Sequence, residues 1–491
     1  MRDERRIVVI GSGPAGAMAA RTLVKQGLPV TMLEAGSVLP KGALVRIFGR
    51  NMGRKHAAYQ TNPKPIFTST GDPNTVWHYH LGPGGLSNQW TGAVPRFSEA
   101  DFQDGVSLHE CYQWPVVYND LVNYYTEAEA VLIVTAGTHV TPTLPPTNMR
   151  YQRGLPGAWN TVAKVATQHG QLLTALPLAD GPPFLVARRG TAFNSFTNLV
   201  TPLMRKPNFE LRLGATALQL EWSGAQRRVQ AVVYYDQQKQ THERINAAAV
   251  VVACGTLNSI RLLFNSTSSD FPQGLGNSEG LLGRYMHDHP REWWSFTTDR
   301  PLPPLSPAIY LTRKPYGTTA PLMATSWTLG ATATLDKLRS LTPLKTYQVG
   351  VQMFGTMIPT LDQRVRPDPT YPDVYGMPGL NIQMQFTSDE IANMEAGRQH
   401  LLNLMEEAGF RCTLNPVVPQ LFPGSAVHYG GGIRMHHSRR YGMLDGYNRL
   451  YDVPNVVVCD ASCFPTSPEK NPTLTIMALA ARAAEQLGRD L

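Results

Sequence analysis

Residues 7–16 read Ile7-Val-Val-Ile-Gly-Ser-Gly-Pro-Ala-Gly16, an apolar run followed at once by glycines in the spacing Gly-x-Gly-x-x-Gly. A short, wholly apolar run predicts a parallel strand that is covered on both faces. The glycines permit a tight turn, a close approach of the backbone to a pyrophosphate, and close packing of the next helix on the strand. The stretch therefore predicts the first strand, turn and helix of a dinucleotide-binding fold.

A second apolar run, Val30–Leu33, ends at Glu34, which lies 34 − 11 = 23 residues after Gly11. An acidic residue roughly 20 residues after the first glycine can hold the ribose hydroxyls of a bound dinucleotide. Strand, glycines, helix, strand and acid thus occur in the expected order, although this motif alone does not separate FAD from NAD. The residues that we expect to contact the dinucleotide are Gly11, Gly13, Pro14, Ala15, Gly16 and Glu34.

The strand and helix pattern of the N-terminus returns later in the chain. Val250–Cys254 and Val456–Cys459 read as buried strands, and 472–488 reads as a helix. Between them, 291–385 has aromatic and β-branched stretches separated by Pro and Gly, which predicts an antiparallel sheet. Further helices are predicted at 118–132 and at 388–408, the latter burying Ile391, Met394, Leu401 and Met405. We expect an α/β nucleotide-binding domain, assembled from separated segments, with a second domain inserted between them.

Composition excludes several classes of protein. The 491 residues carry a formal net charge of +8 without a block of five or six Lys and Arg, so we expect a mildly basic surface and no nucleic-acid partner. No apolar stretch approaches ~18 residues, so no integral membrane association is expected. The five cysteines are an odd number without a Cys-x-x-Cys pair, which favours a reducing compartment, the cytoplasm.

Two later stretches carry further candidate site residues. Gly84–Thr91 places small polar residues after two glycines, which suits a backbone that runs against a flat ligand, although an ordinary surface loop stays open as an alternative. His428 lies in a glycine-rich loop ahead of Asn471-Pro-Thr473. Asn471 is predicted to cap the last helix, with Pro472 in its first turn. A helix start that faces a ligand favours negative charge developing there.

These motifs resemble those of the glucose–methanol–choline (GMC) oxidoreductases, a family of FAD-dependent enzymes that oxidise alcohols. The resemblance covers roughly residues 5–489 and includes Gly276–Pro290 and Val250–Leu263. It is greatest to the pyranose-oxidase-like, sugar-oxidising branch, in which His-x-x-Gly-x-x-Arg-Met precedes Asn-Pro-Thr-Leu-Thr. The resemblance implies a discontinuous Rossmann-like FAD-binding domain with an inserted substrate-binding domain, an architecture like that of p-hydroxybenzoate hydroxylase.

The resemblance also implies domain boundaries. The FAD-binding domain would comprise residues 1–45, 70–110, 205–290 and 426–491. The substrate-binding domain, with its lid and loop segments, would comprise residues 46–69, 111–204 and 291–425.

Roles for single residues follow from the same resemblance. His428 would be the catalytic base and Asn471 the partner that orients the substrate hydroxyl, a position at which many relatives carry a second histidine. Thr91 would lie near the flavin N5 that accepts the hydride, and Asp460 near the ribityl or phosphate side. The implied cofactor contacts are Gly84, Gly85, Ser87, Asn88, Trp90, Thr91, Asp460, Asn471, Pro472 and Thr473. Pyranose oxidases attach FAD to a histidine whose position here holds Gln89, so non-covalent FAD is expected.

The chemistry is consistent with these residue types. Oxidising a secondary alcohol to a ketone removes a hydroxyl proton, which an imidazole can accept, and a hydride, which a flavin can accept. An amide such as that of Asn471 can hydrogen-bond the same oxygen whatever its charge. We expect a ring hydroxyl of a sugar or a sugar-bearing glycoside as substrate, oxygen or another electron acceptor as oxidant, and no metal. Candidates for stacking on the sugar, with core packing as an open alternative, are Trp293, Trp294, Tyr310 and Trp327.

Other interpretations stay open. A GMC oxidase or dehydrogenase of a non-sugar alcohol or sterol would differ only in pocket residues, and a membrane-docked dehydrogenase subunit would need a partner to supply its anchor. An FAD-containing lyase and a non-catalytic flavin-binding protein are alternatives of another class. His436 and His437 are weaker candidates for the base, whereas His287 and His289 are expected to orient a loop or bond its backbone.

Overall fold

The structure, a computed structural model, describes residues 5–37, 66–71, 75, 77–155, 157–179, 193–300, 309–313, 324–331, 347–413 and 421–491. The helices are α1 Pro14–Lys25, α2 Glu99–Gln103, α3 Tyr118–Leu132, α4 Asn160–Gln168, α5 Thr201–Leu203, α6 Thr256–Asn265, α7 Ser388–Glu407 and α8 Thr473–Asp490. The strands before residue 200 are β1 Ile7–Ile10, β2 Val30–Glu34, β3 Phe67–Gly71, β4 Thr135–Ala136, β5 Tyr151–Gln152 and β6 Thr174–Ala175. The strands between residues 200 and 300 are β7 Phe209–Leu213, β8 Ala215–Ser223, β9 Arg228–Asp236, β10 Thr241–Asn246, β11 Ala249–Val252 and β12 Arg291–Thr298. The remaining strands are β13 Ile309–Arg313, β14 Thr325–Ala331, β15 Tyr347–Gly355, β16 Arg364–Asp368, β17 Gly379–Met384, β18 Arg411–Cys412 and β19 Val456–Val458.

A five-stranded sheet in the order β19-β11-β1-β2-β7 forms the first unit. All four neighbouring pairs are parallel, although the strands come from well-separated parts of the chain. Every residue of β1, β2, β11 and β19 is buried, which explains their apolar sequences. Helix α1 packs against α8, and α8 against α3.

A six-stranded antiparallel sheet in the order β18-β12-β15-β14-β13-β6 forms the second unit, with α7 packed on β14 and β15. The antiparallel sheet predicted over 291–385 is thus confirmed, as is the combination of an α/β unit with an antiparallel sheet. Trp294, Tyr310 and Trp327 are buried in this unit, so core packing accounts for these three candidate stacking residues. Trp293 is 44% exposed.

Smaller sheets complete the fold. Strands β8, β9 and β10 form an antiparallel meander, β17 pairs with β16 antiparallel and with β3 parallel, and β4 pairs with β5. Within the described ranges, no helix is both long and apolar enough to cross a membrane.

Two sequence predictions about helices are wrong in detail. Helix α8 begins at Thr473 with Pro472 at its N-cap, so Asn471 does not cap it; the Asn471 amide instead bonds His428. In α7 Ile391 was predicted to be buried, but it is 47% exposed, and the buried face of the helix includes Glu390 instead. The carboxylate of Glu390 accepts the backbone N–H groups of Thr387 and Ile358, which satisfies a buried polar group and turns Ile391 outward.

The turn between β1 and α1 depends on two glycines. A Cβ at Gly11, whose φ is +100°, would lie 2.4 Å from the carbonyl oxygen of Ala253. A Cβ at Gly16 would lie 2.0 Å from the carbonyl oxygen of Gly11. The helix can therefore leave β1 at this angle only without side chains at these positions.

Gly16→Ala should destabilise the protein, because the added methyl group overlaps backbone that cannot move aside. Overpacking of this kind costs about 1–3 kcal/mol or more. Gly13→Ala is the matched control, since a Cβ there meets no atom within 4 Å and its φ is −62°. Thermal unfolding of the cofactor-free proteins, followed by circular dichroism, should give a lower midpoint for Gly16→Ala alone. Equal midpoints for the two variants would contradict this account of the turn.

Candidate active site

Glu34 and Ser12 join the two glycine-rich stretches. The Glu34 carboxylate accepts the backbone N–H of Ser12 at 3.0 Å, the Ser12 hydroxyl at 2.5 Å and the N–H of Gly36 at 2.7 Å. The Ser12 hydroxyl in turn accepts the N–H of Gly84 at 2.9 Å. Burial raises the pKa of Glu34, whereas these hydrogen bonds lower it. Glu34 thus fixes the β1–α1 turn against the second glycine-rich loop, and Ser12 is a contributor that the motif leaves unspecified.

The start of α1 fits a pyrophosphate. The space beside Gly13 is open, since a Cβ there would meet no atom within 4 Å. The first backbone N–H groups of a helix have no acceptor within the helix, and the helix dipole favours an anion there. Pro14, Ala15 and Gly16 begin this helix. The open space at Gly13 and the start of α1 are therefore compatible with a pyrophosphate.

The loop Gly84–Thr91 is held both by its own side chains and by a neighbouring segment, in which Asn194 donates to the Asn88 side chain at 2.8 Å and the N–H of Ser195 donates to Ser87 at 3.1 Å. Ser87 donates to the carbonyl of Gly84 at 2.6 Å, and the Asn88 amide donates to the carbonyls of Pro83 and Gly85 at 3.0 and 2.8 Å. The Trp90 indole donates to the carbonyl of Phe193 at 2.8 Å. Thr91 is exposed. These bonds give the loop a fixed shape, and Gly85 approaches Gly13, with a Cβ at Gly85 lying 3.5 Å from the Gly13 Cα.

Asp460 connects this region to the loop of His428. It follows β19, and its carboxylate accepts the N–H of Gly255 at 3.1 Å and the hydroxyl of Ser259 at 2.5 Å. Gly255 directly precedes Thr256, whose hydroxyl donates to the carbonyl of Tyr429 at 2.6 Å. Burial raises the pKa of Asp460, while its hydrogen bonds lower it. Asp460 therefore joins the carboxyl ends of β11 and β19 beside His428.

His428 and Asn471, predicted to act together, are hydrogen-bonded. The Asn471 Nδ2 lies 3.1 Å from the His428 Nε2, with Pro472 and Thr473 following at the start of α8. Both residues are half-buried. The His428 Nδ1 is buried and has no hydrogen-bond partner among the described residues. Since the amide donates to Nε2, the proton of the neutral imidazole is assigned to Nδ1, which leaves the lone pair on Nε2.

Aromatic rings fix the orientation of the His428 ring. The ring of His289 lies 5.0 Å away at 89°, and the ring of Phe354 lies 5.4 Å away at 31°. Burial lowers the pKa of His428 well below its usual value, and electrostatic interactions with His289 and Arg291 lower it further. His428 is therefore neutral at pH 7 and able to accept a proton.

The loop that carries His428 is attached to Asp288, which the sequence motifs did not single out. Asp288 is fully buried, and its carboxylate accepts the backbone N–H of His428 at 2.8 Å. Val427, immediately before His428, has a φ of +61°, a left-handed conformation that is costly for a β-branched residue. The signal in the sequence that could have identified Asp288 is its position between His287 and His289.

The other histidines have contacts to the backbone. His287 pairs with Gly430 through backbone hydrogen bonds of 2.9 Å in both directions, and the His289 Nδ1 lies 3.2 Å from the carbonyl of Gly355. The His436 Nε2 lies 2.9 Å from the carbonyl of Glu110. His437 is exposed. Of these four, only His289 contacts the ring of His428 within the described part of the chain.

Asn471→Asp should raise the pKa of His428, because a carboxylate beside Nε2 favours the imidazolium form. The pH dependence of the ring nitrogen shifts in ¹⁵N-histidine-labelled protein measures this, with His428→Asn used to assign the signals. The expected titration lies at higher pH in Asn471→Asp than in the parent. An unchanged titration would contradict the short contact between the two side chains.

Comparisons with known proteins identify the family of the chain. Two models of the GMC oxidoreductase family match the chain, one over residues 178–291 and the other over residues 359–480. The second match includes His428 and Asn471, whereas the β1–α1 turn lies outside both.

Relatives align along almost the whole chain. A 6'''-hydroxyparomomycin C oxidase from Streptomyces lividus is 27% identical, over 99% of this chain and 91% of its own length. The fructose dehydrogenase large subunit from Gluconobacter japonicus is 24% identical, over 99% of this chain and 98% of its own length. Formate oxidase from Aspergillus oryzae, a solved structure, has the same fold, with a TM-score of 0.72 at 15% identity over 99% of both chains. The matches to both family models show that the chain belongs to the GMC oxidoreductase family.

Proposed function

We propose that this GMC oxidoreductase uses FAD to oxidise a secondary hydroxyl of a sugar or glycoside to a ketone. The observation that carries the proposal is the hydrogen bond of 3.1 Å between the Asn471 amide and the Nε2 of a neutral His428. The names of the two relatives, an aminoglycoside oxidase and a fructose dehydrogenase, support a sugar-like substrate.

The residues around the β1–α1 turn fit FAD. The open space at Gly13 and the start of α1 would take the pyrophosphate, Glu34 the ribose side, and the loop 84–91 the flavin side. Asp460 would lie at the ribityl or phosphate side, Asn471–Thr473 near the flavin ring, and Thr91 near its N5. When bound, FAD accepts the hydride that leaves the alcohol carbon.

The chain itself would handle the hydroxyl proton. An alcohol between the two side chains would donate its O–H to the His428 Nε2 and accept an N–H of Asn471. The imidazole takes the proton as the carbon–oxygen double bond forms, and such general base catalysis contributes typically 10²–10⁴-fold. The amide holds the oxygen in position before and after the proton leaves.

The antiparallel sheet would supply the substrate side of the site. Phe354 of β15 stands beside the His428 ring, and His289 lies just before β12, next to it. We propose the domain division inferred from the sequence, in which His428 and Asn471 belong to the FAD-binding part and 291–425 to the substrate-binding part. A sugar would then bind between the two units, with its reacting carbon towards the flavin.

His428→Ala should abolish most of the activity while the FAD stays bound. We expect the rate of anaerobic flavin reduction by the substrate to fall by about 10²–10⁴-fold, because the hydroxyl proton has no acceptor. His437→Ala, an exposed histidine nearby in sequence, is the control and should keep the parental rate. A His428→Ala rate within threefold of the parent would contradict the assignment of the base.

FAD should be released on acid precipitation, because glutamine at position 89 cannot form the bond that a histidine forms with the flavin ring. The measurement compares the yellow absorbance of the supernatant with that of the washed pellet. All of the chromophore is expected in the supernatant. Chromophore in the pellet would contradict non-covalent binding and would direct attention to His80, whose Nδ1 lies 3.4 Å from the Gln89 Nε2.

A further inference from the structure

One buried carboxylate collects three backbone N–H groups from the loop that carries His428. Asp288 has no exposed surface. Its Oδ1 accepts the N–H of His428 at 2.8 Å, and its Oδ2 accepts the N–H groups of Gly424 at 3.0 Å and Ala426 at 3.2 Å. The donors are alternate residues of a five-residue loop, so all three converge on one side chain.

The loop 424–428 is also bonded by two other side chains, since the Arg291 guanidinium donates to the carbonyl of Ser425 at 2.7 Å and the Tyr429 hydroxyl donates to that of Gly424 at 3.1 Å. It contains no helix or strand, and both Gly424 and Val427 have left-handed backbone conformations, with φ of +88° and +61°. Hydrogen bonds from backbone N–H groups to a carboxylate are among the stronger hydrogen bonds of proteins. The three bonds can therefore hold Val427 in a conformation that it would otherwise leave.

Asp288 itself lies on a fixed segment. Gly283 donates to the carbonyl of Gly432 at 2.8 Å, Gly432 donates to that of Arg284 at 3.0 Å, and His287 pairs with Gly430 in both directions. The next residue, His289, places its ring against the ring of His428. Asp288 therefore holds the backbone of His428, and His289 contacts its ring, from two consecutive residues of one well-ordered segment.

Burying a carboxylate has an electrostatic cost, and here backbone dipoles offset it. Burial raises the pKa of Asp288 to about 6, although the hydrogen bonds from His428, Ala426 and Gly424 lower it. At neutral pH the side chain is therefore ionised, and both oxygens can accept hydrogen bonds.

We propose that Asp288 is a positioning residue for catalysis: its carboxylate fixes the loop 424–428 so that the His428 Nε2 faces the substrate hydroxyl. This inference rests on the proposed function for the role of His428 as the base. The attachment of the loop to Asp288 can be tested without it.

Asp288→Asn tests the proposal, because an amide has one acceptor oxygen and its NH₂ group opposes the N–H donors of the loop. We expect kcat to fall at least tenfold, KM to change less than threefold, and the FAD content to stay at the parental value. Asp236→Asn is the matched control: Asp236 also accepts two backbone N–H groups, from Gln238 and Lys239, but in the turn between β9 and β10. The control should keep the parental kcat and KM.

Hydrogen exchange provides a readout that does not depend on activity. In the parental holoenzyme at neutral pH, the amides of Gly424, Ala426 and His428 should exchange at least tenfold more slowly than those of Ser425 and Val427, which do not bond Asp288. Asp288→Asn should remove this alternation and leave exchange in β1 and α1 unchanged. If Asp288→Asn does not fold, the alternating exchange rates along 424–428 in the parental enzyme still test whether the loop is bonded to Asp288.

The outcomes separate this inference from the proposed function. Uniform exchange along 424–428 in the parent, or parental kcat in a folded Asp288→Asn, overturns the role of Asp288. Suppose instead that Asp288→Asn abolishes the alternating exchange, but that His428→Ala reduces its flavin at the parental rate. The attachment of the loop to Asp288 would then stand, whereas the role of His428 as base and the catalytic role of Asp288 would both be contradicted.

Discussion

The carboxyl ends of the parallel strands meet at one edge of the sheet, and the whole candidate site is attached to that edge. Gly11 follows β1, Glu34 ends β2, Gly255 follows β11 and Asp460 follows β19. Parallel pairing aligns these ends whatever the distance between them along the chain, and ligands of open α/β sheets bind there. Because Gly255 and Asp460 lead directly to the loop of His428, the sheet also sets the distance between the cofactor side and the candidate base.

Electrostatics of the buried site follow from this arrangement. Burial lowers the pKa of His428 and lowers that of His289 to about 4, so both rings are neutral at pH 7. A neutral imidazole can accept a proton at once, without first losing one. The same burial raises the pKa of Asp288, whose charge is balanced by backbone N–H groups. Exclusion of water therefore has two effects. It keeps the His428 imidazole neutral, and it makes the charged form of Asp288 depend on hydrogen bonds from the backbone of the loop 424–428.

The sequence predicted the elements that local residue patterns determine. It missed the side-chain roles that depend on contacts between distant segments. The strand, turn and first helix followed from glycine spacing, because the contact between Gly16 and Gly11 is local, although Gly11 is also required by the distant carbonyl of Ala253. The start of α8 was placed one residue early, because the side chain of Asn471 bonds a residue 43 positions away instead of its own helix. Asp288 was overlooked for the same reason, since its partners come from another segment, and the burial of Glu390 depends in part on the distant N–H of Ile358. The pairing of His428 with Asn471 came from family resemblance rather than from spacing.

The central claim, oxidation of a sugar hydroxyl, is tested most directly by anaerobic stopped-flow absorbance of the purified yellow protein. The panel consists of free sugars, glycosides, polyols and sterols, each mixed with the enzyme in the absence of oxygen. Rapid loss of the flavin absorbance near ~450 nm with a sugar or glycoside, and not with the sterols, is the predicted result. Bleaching only by non-sugar alcohols, or by no compound in the panel, would contradict the account.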